Sequence, residues 1–233
     1  MTVIHISKLQ KNYGALRPLR ILQLSVEEGE RVAVGGLDGP AAEVMVNLVT
    51  GATLPDEGAV HTFGSSTGAI TDGDAWLASL DRFGIVSPRA VLLEGSTLQQ
   101  NLALPFTLEL DPIPADVAAK VAALASECGI AVEHLSRMGG EVPAHLRARI
   151  HLARALALNP ELLLIEHPTA QVDEADRPAL ARDFADALNG RKTAALILTL
   201  DVGFAEGVAH RSLTLQPATG ALVAWKVKRG WFR

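Results

Sequence analysis

The order of elements near the N-terminus constrains the fold more than any other feature of this sequence. An apolar, β-branched stretch predicts a strand over Arg31–Val34, which runs into Gly35 and then into a helix predicted over Ala41–Thr50. Gly51 marks the end of that helix, and a further strand is predicted over Ala59–Phe63. A strand, a glycine turn, a helix and a strand in succession predict an α/β core.

The remaining hydrophobic pattern extends this core and interrupts it with a helical middle section. Two more strands are predicted before the glycine turn, over Val3–Ile6 and Ile21–Val26. The middle is helical over Asp116–Gly129 and Leu146–Leu158, where apolar residues recur every three or four positions. The last third alternates again: strand Leu162–Ile165, helix Arg177–Leu188, strand Ala194–Leu198, helix Val202–Ala209 and strand Ser212–Leu215.

Composition excludes several classes of protein. The 233 residues suffice for one large domain, or a domain with a grafted subdomain, around a buried core. The 21 Lys and Arg against 26 Asp and Glu leave a formal net charge of −5, which argues against nucleic-acid binding by bulk positive charge. Cys128 is the single cysteine, so an intramolecular disulfide and a cysteine-cluster metal site are excluded. We expect neither a secretory signal nor a membrane-spanning segment.

The glycine turn and the segments that follow resemble an ABC-transporter ATPase. The run Gly29–Gly39, with Asn47–Gly51, resembles the first strand, phosphate loop and first helix of that family. Further matching segments are Tyr13, Pro55–Gly58, Thr97–Pro105, Arg149 with Ala153–Ala155, Asn159–Pro160 and Leu162–Pro168. The resemblance covers nearly the whole chain and implies one domain with a P-loop NTPase-like ABC ATPase core, an antiparallel β subdomain and an inserted α-helical subdomain. The implied parts are core 1–87 and 159–225, helical subdomain 88–158, and tail 226–233.

The residues that contact phosphate in that family are replaced here. A phosphate loop surrounds phosphates with backbone N–H groups, a Lys reaches the β and γ groups, and a Ser or Thr holds Mg²⁺. Gly36 and Gly39 remain, but the lysine position is Ala42 and the magnesium hydroxyl position is Glu43. The resemblance therefore implies a vestigial nucleotide site, whose positions are Tyr13, Gly36, Gly39, Ala41, Ala42 and Glu43.

Other positions of the ABC machinery are replaced as well. Pro88 stands for the glutamine, Glu166 for the Walker B aspartate, His167 for the catalytic glutamate and Leu200 for the switch histidine. The signature positions are Val142, Pro143, Ala144, His145 and Leu146. By contrast, Asp173 matches the family's D-loop aspartate. No catalytic residue and no metal site are predicted, although Glu166 could approach a metal and a histidine can act as a base near neutral pH.

Two carboxylates at the phosphate loop suggest what stabilises the loop in the absence of a nucleotide. Asp38 and Glu43 lie where a triphosphate would sit, and like charges at close range repel. An anion near a helix N-terminus complements the helix dipole. We therefore expect Glu43 to replace phosphate at the start of the helix, the alternative being that Glu43 points into water.

Three functions remain open from the sequence. The first is a noncatalytic subunit of a membrane transport complex, located peripherally on the cytoplasmic face of the membrane. It would bind an integral membrane permease near Pro88–Pro105 and pair with another ABC ATPase subunit or with a second copy of itself. The second is an ATP-binding, slowly hydrolysing subunit; only this alternative needs ATP and Mg²⁺. The third is an interaction protein unrelated to transport. The basic, aromatic tail Lys226–Arg233 suits contact with an anionic membrane surface or a partner, or simple solvation.

Overall fold

The secondary structure is that of an α/β protein. The structure, a computed structural model, describes residues 1–70 and 72–225. In this part of the chain the strands are β1 (Thr2–Lys11), β2 (Leu19–Glu27), β3 (Arg31–Gly35), β4 (Glu57–Thr62), β5 (Ser65–Ser66), β6 (Phe83–Val86), β7 (Leu162–Glu166), β8 (Ala194–Leu198), β9 (Arg211–Gln216) and β10 (Ala221–Ala224). The α-helices are α1 (Gly39–Val49), α2 (Gly73–Leu80), α3 (Leu98–Ala103), α4 (Ala115–Glu127), α5 (Ala144–Leu156), α6 (Arg177–Leu188) and α7 (Val202–Val208).

The larger sheet has six strands in the order β10-β9-β3-β8-β7-β6. The neighbouring strands from β9 to β6 are parallel, and β10 is antiparallel to β9. Successive side chains of a strand point to opposite faces of the sheet, so the side chains of β3 alternate between the hydrophobic cores on the two faces. Val32 and Val34 lie in one core and Ala33 in the other. Both faces are covered, which explains why the central strands are apolar throughout.

Different elements cover the two faces of this sheet. On one face lie α1 and a four-stranded antiparallel sheet of order β2-β1-β4-β5, which contribute Met45 and Ile4 to the core. On the other face lie α5, α6 and α7, with Ile150, Phe184 and Phe204 in the core. Each face of the parallel sheet is thus shielded from water by an element of different architecture, as expected for an α/β fold.

The helices α3, α4 and α5 form the segment between β6 and β7. Thr97 begins α3 with a capping box, in which Thr97 and Gln100 satisfy each other's backbone N–H groups. The buried Asn101 side chain accepts a hydrogen bond from the Leu93 N–H at 2.8 Å and donates to the Leu93 carbonyl oxygen at 3.0 Å. Asn101 therefore fixes the loop that leads from β6 to α3.

The α/β class and the antiparallel sheet predicted from the sequence are confirmed, while several element bounds differ. The predicted bounds of α6 and β8 agree with the structure. Helix α2 was not predicted, because none of its residues is buried and it therefore lacks an apolar period; Asp72 caps it. Every α-helix among the described residues is too short or too polar to cross a membrane. The tail Lys226–Arg233 lies outside the described residues.

Candidate functional site

The loop between β3 and α1 places its own carboxylate at the helix N-terminus. Gly36 has a φ of +84°, a conformation that glycine adopts at little cost, and it turns the chain towards α1. The Asp38 carboxylate then accepts a hydrogen bond from the Ala41 N–H at 3.0 Å and caps the helix. Glu43 lies beyond the first turn. The expectation that Glu43 replaces phosphate at this end is therefore wrong, since Asp38 occupies it.

The lysine position of the phosphate loop is a buried methyl group. Ala41 and Ala42 are both buried and pack in the core beneath the antiparallel sheet. A methyl group cannot donate a hydrogen bond to a phosphate. Pro40, near the start of α1, also lacks the N–H group that other residues offer there. The loop accordingly has fewer donors for an anion than a glycine-rich loop with a lysine.

Arg89 joins two carboxylates that belong to different elements. Its Nη1 forms an ion pair with Oε1 of Glu43 on α1. Its Nη2 donates to Oε2 of Glu166, the last residue of β7, at 2.7 Å. A guanidinium presents five donors in a rigid fork, so one arginine can bind two carboxylates at once. The Glu43 side chain is 46% exposed but is not unpaired, because Arg89, from the loop after β6, neutralises its charge.

Ser87 completes the hydrogen bonding of this ion-paired group. The Glu166 side chain is only 3% exposed, and its Oε2 also accepts a hydrogen bond from the Ser87 hydroxyl at 3.0 Å. The Ser87 oxygen in turn accepts from the Arg89 backbone N–H at 3.2 Å and from Arg89 Nε at 3.3 Å. A buried carboxylate is costly unless it is paired and hydrogen-bonded. Arg89 and Ser87 together satisfy that requirement for Glu166.

Two histidines line a small cavity beside this group. His167 has a φ of +42°, its N–H donates to the Leu198 carbonyl oxygen at 2.8 Å, and its buried Nε2 has no hydrogen-bond partner among the described residues. His167 and His151 both border a cavity of about 30 Å³, enough for roughly one water molecule. Burial, together with the charges of Arg154 and Arg147, lowers the pKa of His151 to about 4. His151 is therefore neutral near pH 7.

The signature positions run from a loop into α5. Val142 and Leu146 are buried, Ala144 and His145 are half-buried, and Pro143 is exposed. Pro143 precedes α5 and supplies no side-chain cap. Nδ1 of His145 lies 3.0 Å from Oδ2 of Asp176, and the exposed Asp173 precedes the short 3₁₀ helix that contains Asp176. These side chains offer an anion neither the serine hydroxyl nor the glycine backbone of the usual signature.

Tyr13 and Leu200 lie at the margins of the site. Tyr13 is half-buried and packs against the core beneath the antiparallel sheet. Burial, and secondarily the negative charge of Asp38, raise the pKa of the Tyr13 hydroxyl. Leu200, at the switch position, is exposed and lies two residues after Leu198, the last residue of β8. An apolar side chain cannot donate a hydrogen bond to a phosphate.

Comparison with known proteins identifies the family. The ABC transporter family matches residues 19–170. The chain belongs to the ABC transporter family. The match begins at the first residue of β2 and ends beyond β7. It therefore includes the phosphate loop, the Arg89 group and the signature positions.

Relatives within the ABC transporter family include two import ATP-binding proteins and an ATP-binding protein of a lipoprotein-releasing system. The chain is 34% identical over 190 residues to the phosphonates import ATP-binding protein PhnC of Anaeromyxobacter dehalogenans, covering 77% of this chain and 37% of PhnC. It is 34% identical over 178 residues to the methionine import ATP-binding protein MetN of Caulobacter vibrioides, covering 73% of this chain and 51% of MetN. The chain thus spans about a third of the length of PhnC and about half of the length of MetN. The lipoprotein-releasing system ATP-binding protein LolD of Pseudomonas fluorescens is 29% identical over 203 residues, with 87% of each chain covered.

Solved structures confirm the ABC ATPase fold. The dimeric ATP-binding cassette MJ0796, in a post-hydrolysis state with ADP and Pi, superposes with a TM-score of 0.77 and 20% identity, over 98% of this chain and all of that one. The structure of cbiO1 from Clostridium perfringens, part of the transporter complex cbiONQ, gives 0.78 and 16% identity, over 95% of this chain and 87% of that one. The predicted antiparallel sheet and helical subdomain are therefore those of an ABC ATPase.

The side chains at the magnesium and lysine positions of this ABC transporter chain are engaged within the protein itself. Glu43 and Glu166, which the resemblance places at the positions of the magnesium ligands, both form ion pairs with Arg89. Among the described residues, no group of three or more His, Cys, Asp and Glu side chains is arranged to hold a metal ion. The lysine position is a buried methyl group, and a guanidinium repels a divalent cation at close range.

Sequence reasoning missed the two residues that organise this site, Ser87 and Arg89. Both flank Pro88, the position of the family's glutamine, and a signal was present in the sequence. Glu43 and Glu166 are two acidic substitutions at positions that the ABC resemblance places together, and such a pair requires a cation nearby. Arg89 is the cation next to the third substituted position, Pro88.

Proposed function

We propose that this chain is a noncatalytic, ABC ATP-binding-like subunit of a membrane transport complex, with a structural or regulatory role. The observation that carries the proposal is that Arg89 forms ion pairs with both Glu43 and Glu166. The buried Ala42 supports the proposal, because the lysine position then offers no ammonium group to a phosphate. The remaining fold, including the central sheet and the core around it, is intact.

The proposed partners follow from the family. The chain binds an integral membrane permease on the cytoplasmic face of the membrane and pairs with another ABC ATPase subunit or with a second copy of itself. The similarity to LolD and to importer subunits supports a place in transport, and the dimeric form of MJ0796 supports pairing. In a mixed pair, the chain contributes one site without catalytic groups and a signature segment without the usual donors.

A cleft beside α5 supports docking on the permease. Ile85 and Leu158 line a cleft of about 270 Å³ between β6 and the end of α5, and Leu158 is 60% exposed. Val91, just after the cleft residue Ala90, is 75% exposed, whereas Leu92 is buried in the core. The segment Pro88–Pro105, which is predicted to contact the permease, therefore contains both core residues and exposed residues. We propose that the exposed residues Ile85, Val91 and Leu158 contact the permease.

Calorimetry with MgATP tests the noncatalytic function. The full chain is titrated with MgATP, with the ATP-binding protein LolD of Pseudomonas fluorescens as the positive control for binding. Phosphate release is measured on the same preparation. We expect neither micromolar binding nor turnover above the background without protein. Micromolar affinity for MgATP would overturn the proposal in favour of an ATP-binding, slowly hydrolysing subunit.

Purification from membranes tests the transport assignment separately. The tagged chain is isolated from detergent-solubilised membranes of its own host, and the bound proteins are identified by mass spectrometry. We expect an integral membrane permease and a second ABC ATPase in stoichiometric amounts. Recovery of the chain without a membrane protein would instead support an interaction protein unrelated to transport.

A further inference from the structure

We infer that Arg89 takes the place of the divalent cation in this chain, so that a guanidinium rather than a metal ion joins α1 to β7. The inference deepens the proposed noncatalytic function and rests on it, because an ABC chain that used magnesium would need this position free. The two acidic groups come from the positions of the magnesium ligands, Glu43 for the hydroxyl and Glu166 for the aspartate. Both carboxylates contact the same guanidinium.

The charges explain why a cation is required here. Glu166 is almost fully buried, and a buried carboxylate without a partner is strongly destabilising. The Ser87 hydroxyl donates one hydrogen bond but carries no charge. Among the described residues, Arg89 is the cation that forms an ion pair with Glu166. Without it, Glu43 and Glu166 would both lose the positive charge that neutralises them.

Several further hydrogen bonds fix the backbone of the loop that contains Arg89 and thereby help to position its guanidinium. The Ala90 N–H donates to the Ser87 carbonyl oxygen at 3.0 Å. Nη1 of Arg154, on α5, donates to the Val91 carbonyl oxygen at 2.8 Å. Asn101, on α3, binds both backbone groups of Leu93. The bridge therefore connects α1 and β7 to the helical subdomain through one short loop.

Removal of the guanidinium should leave two carboxylates that a metal ion can reach. Carboxylate oxygens are ligands that hard divalent cations accept, with water molecules completing the coordination. Glu43 and Glu166 both contact one guanidinium, so an ion of smaller size can take its position between them after a modest shift of the half-buried Glu43 side chain. The Arg89 guanidinium and a divalent cation are thus alternative partners for the carboxylates of Glu43 and Glu166.

Binding of Mn²⁺ alone to the full chain tests the inference, with free Mn²⁺ measured by electron paramagnetic resonance. We expect Arg89→Gln to bind one Mn²⁺ per chain, at least about tenfold more tightly than the wild type. The double variant Arg89→Gln with Glu43→Gln should lose this gain. Arg82→Gln is the matched control, because Arg82 is also paired with a glutamate, Glu161, away from the site.

The outcomes separate this inference from the proposed function. A folded Arg89→Gln variant with the Mn²⁺ affinity of the wild type, or an equal gain in Arg82→Gln, would overturn the inference whatever the chain does with ATP. A gain in Arg89→Gln alongside MgATP binding by the wild type would support the inference and overturn the noncatalytic function. If Arg89→Gln is recovered unfolded, it is refolded from urea with and without Mn²⁺. Recovery of native circular dichroism with Mn²⁺ alone supports the inference, and no recovery in either condition overturns it.

Discussion

Nε of Arg149 donates to Oδ2 of Asp183 at 2.7 Å and thereby links α5 to α6, two helices that cover the same face of the larger sheet. Arg149 is buried, and its Nη1 also donates to the His145 carbonyl oxygen at 3.0 Å. The same arginine thus links the first turn of α5 to a helix that packs beside it. This contact uses no nucleotide and belongs to the framework that the chain retains.

Replacement of this arginine should destabilise the protein. We expect Arg149→Met to lower the free energy of unfolding by about 3 kcal/mol, because Asp183 keeps its charge and loses its partner. Urea unfolding followed by circular dichroism measures the change. Arg182→Met, at an exposed position on α6, is the control and should change stability by less than about 0.5 kcal/mol. Equal effects of the two variants would show that the ion pair contributes nothing specific.

Tyr13 reports on the phosphate loop because it is the single tyrosine of the chain. Its pKa is raised by burial and by the charge of Asp38. We expect Asp38→Asn, which keeps a capping side chain, to lower the Tyr13 pKa while leaving it above its ordinary value, since burial remains. Absorbance titration of the tyrosinate measures it, with circular dichroism to confirm folding. Asp72→Asn, at the cap of α2, is the control, and an equal shift there would rule out Asp38 as the source.

His151 should make stability depend on pH. Its pKa in the folded protein is about 4 against an ordinary value of 6.5, so below pH 6.5 the unfolded chain binds a proton that the folded chain rejects. Its contribution is complete above pH 6.5 and is lost as pH falls towards 4, by roughly 3 kcal/mol in total. Urea unfolding at several pH values should therefore show a shallower decline for His151→Leu than for the wild type. Parallel curves, with His145→Leu as the half-buried control, would contradict this assignment.

Restoring one family residue should not restore catalysis. We expect Ala42→Lys to show no phosphate release above background, because Arg89 still binds Glu43 and Glu166, and Pro88, His167 and Leu200 are unchanged. A MgATP hydrolysis assay on the folded variant measures this. Turnover would show that the lysine alone limits the activity, and Ala41→Lys distinguishes a positional effect from added charge.

An acidic side chain in the cleft beside α5 should weaken docking. We expect Leu158→Asp to reduce recovery of the permease with the tagged chain by about tenfold, because it places a charge in an apolar contact. Leu16→Asp is the matched control, since Leu16 is fully exposed and does not line the cleft. Equal recovery in the two variants, quantified by mass spectrometry, would place the permease on another surface.

The buried elements could be predicted well from the sequence because burial imposes an apolar pattern on it. Strand β8 and helix α6 have the predicted bounds, since β8 is a short continuous apolar run and the apolar residues of α6 follow the period of an amphipathic helix. Strand β1 is longer than predicted, Thr2–Lys11 rather than Val3–Ile6. Its outer half is partly exposed and contains Lys8 with a φ of +48°, which an apolar pattern cannot indicate.

The site was harder to predict because its contacts join distant parts of the chain. The resemblance indicated that Glu43 and Glu166 replace metal ligands, but it could not indicate that one arginine binds both. That contact depends on the turn that follows β6, in which the Ala90 N–H donates a hydrogen bond to the Ser87 carbonyl oxygen. The cap of α1 was misassigned for a local reason: Asp38 stands three residues before Ala41, the spacing of an N-cap, whereas Glu43 lies within the helix.

The bridge through Arg89 also determines how this part of the protein responds to its surroundings. A region held together by a bound ligand gains stability as the ligand concentration rises, by mass action. Arg89, Glu43 and Glu166 belong to one chain, so no concentration enters their equilibrium. The conformation of this loop should accordingly be the same in a starved cell as in a growing one, which suits a subunit whose contribution to an assembly does not follow the energy supply.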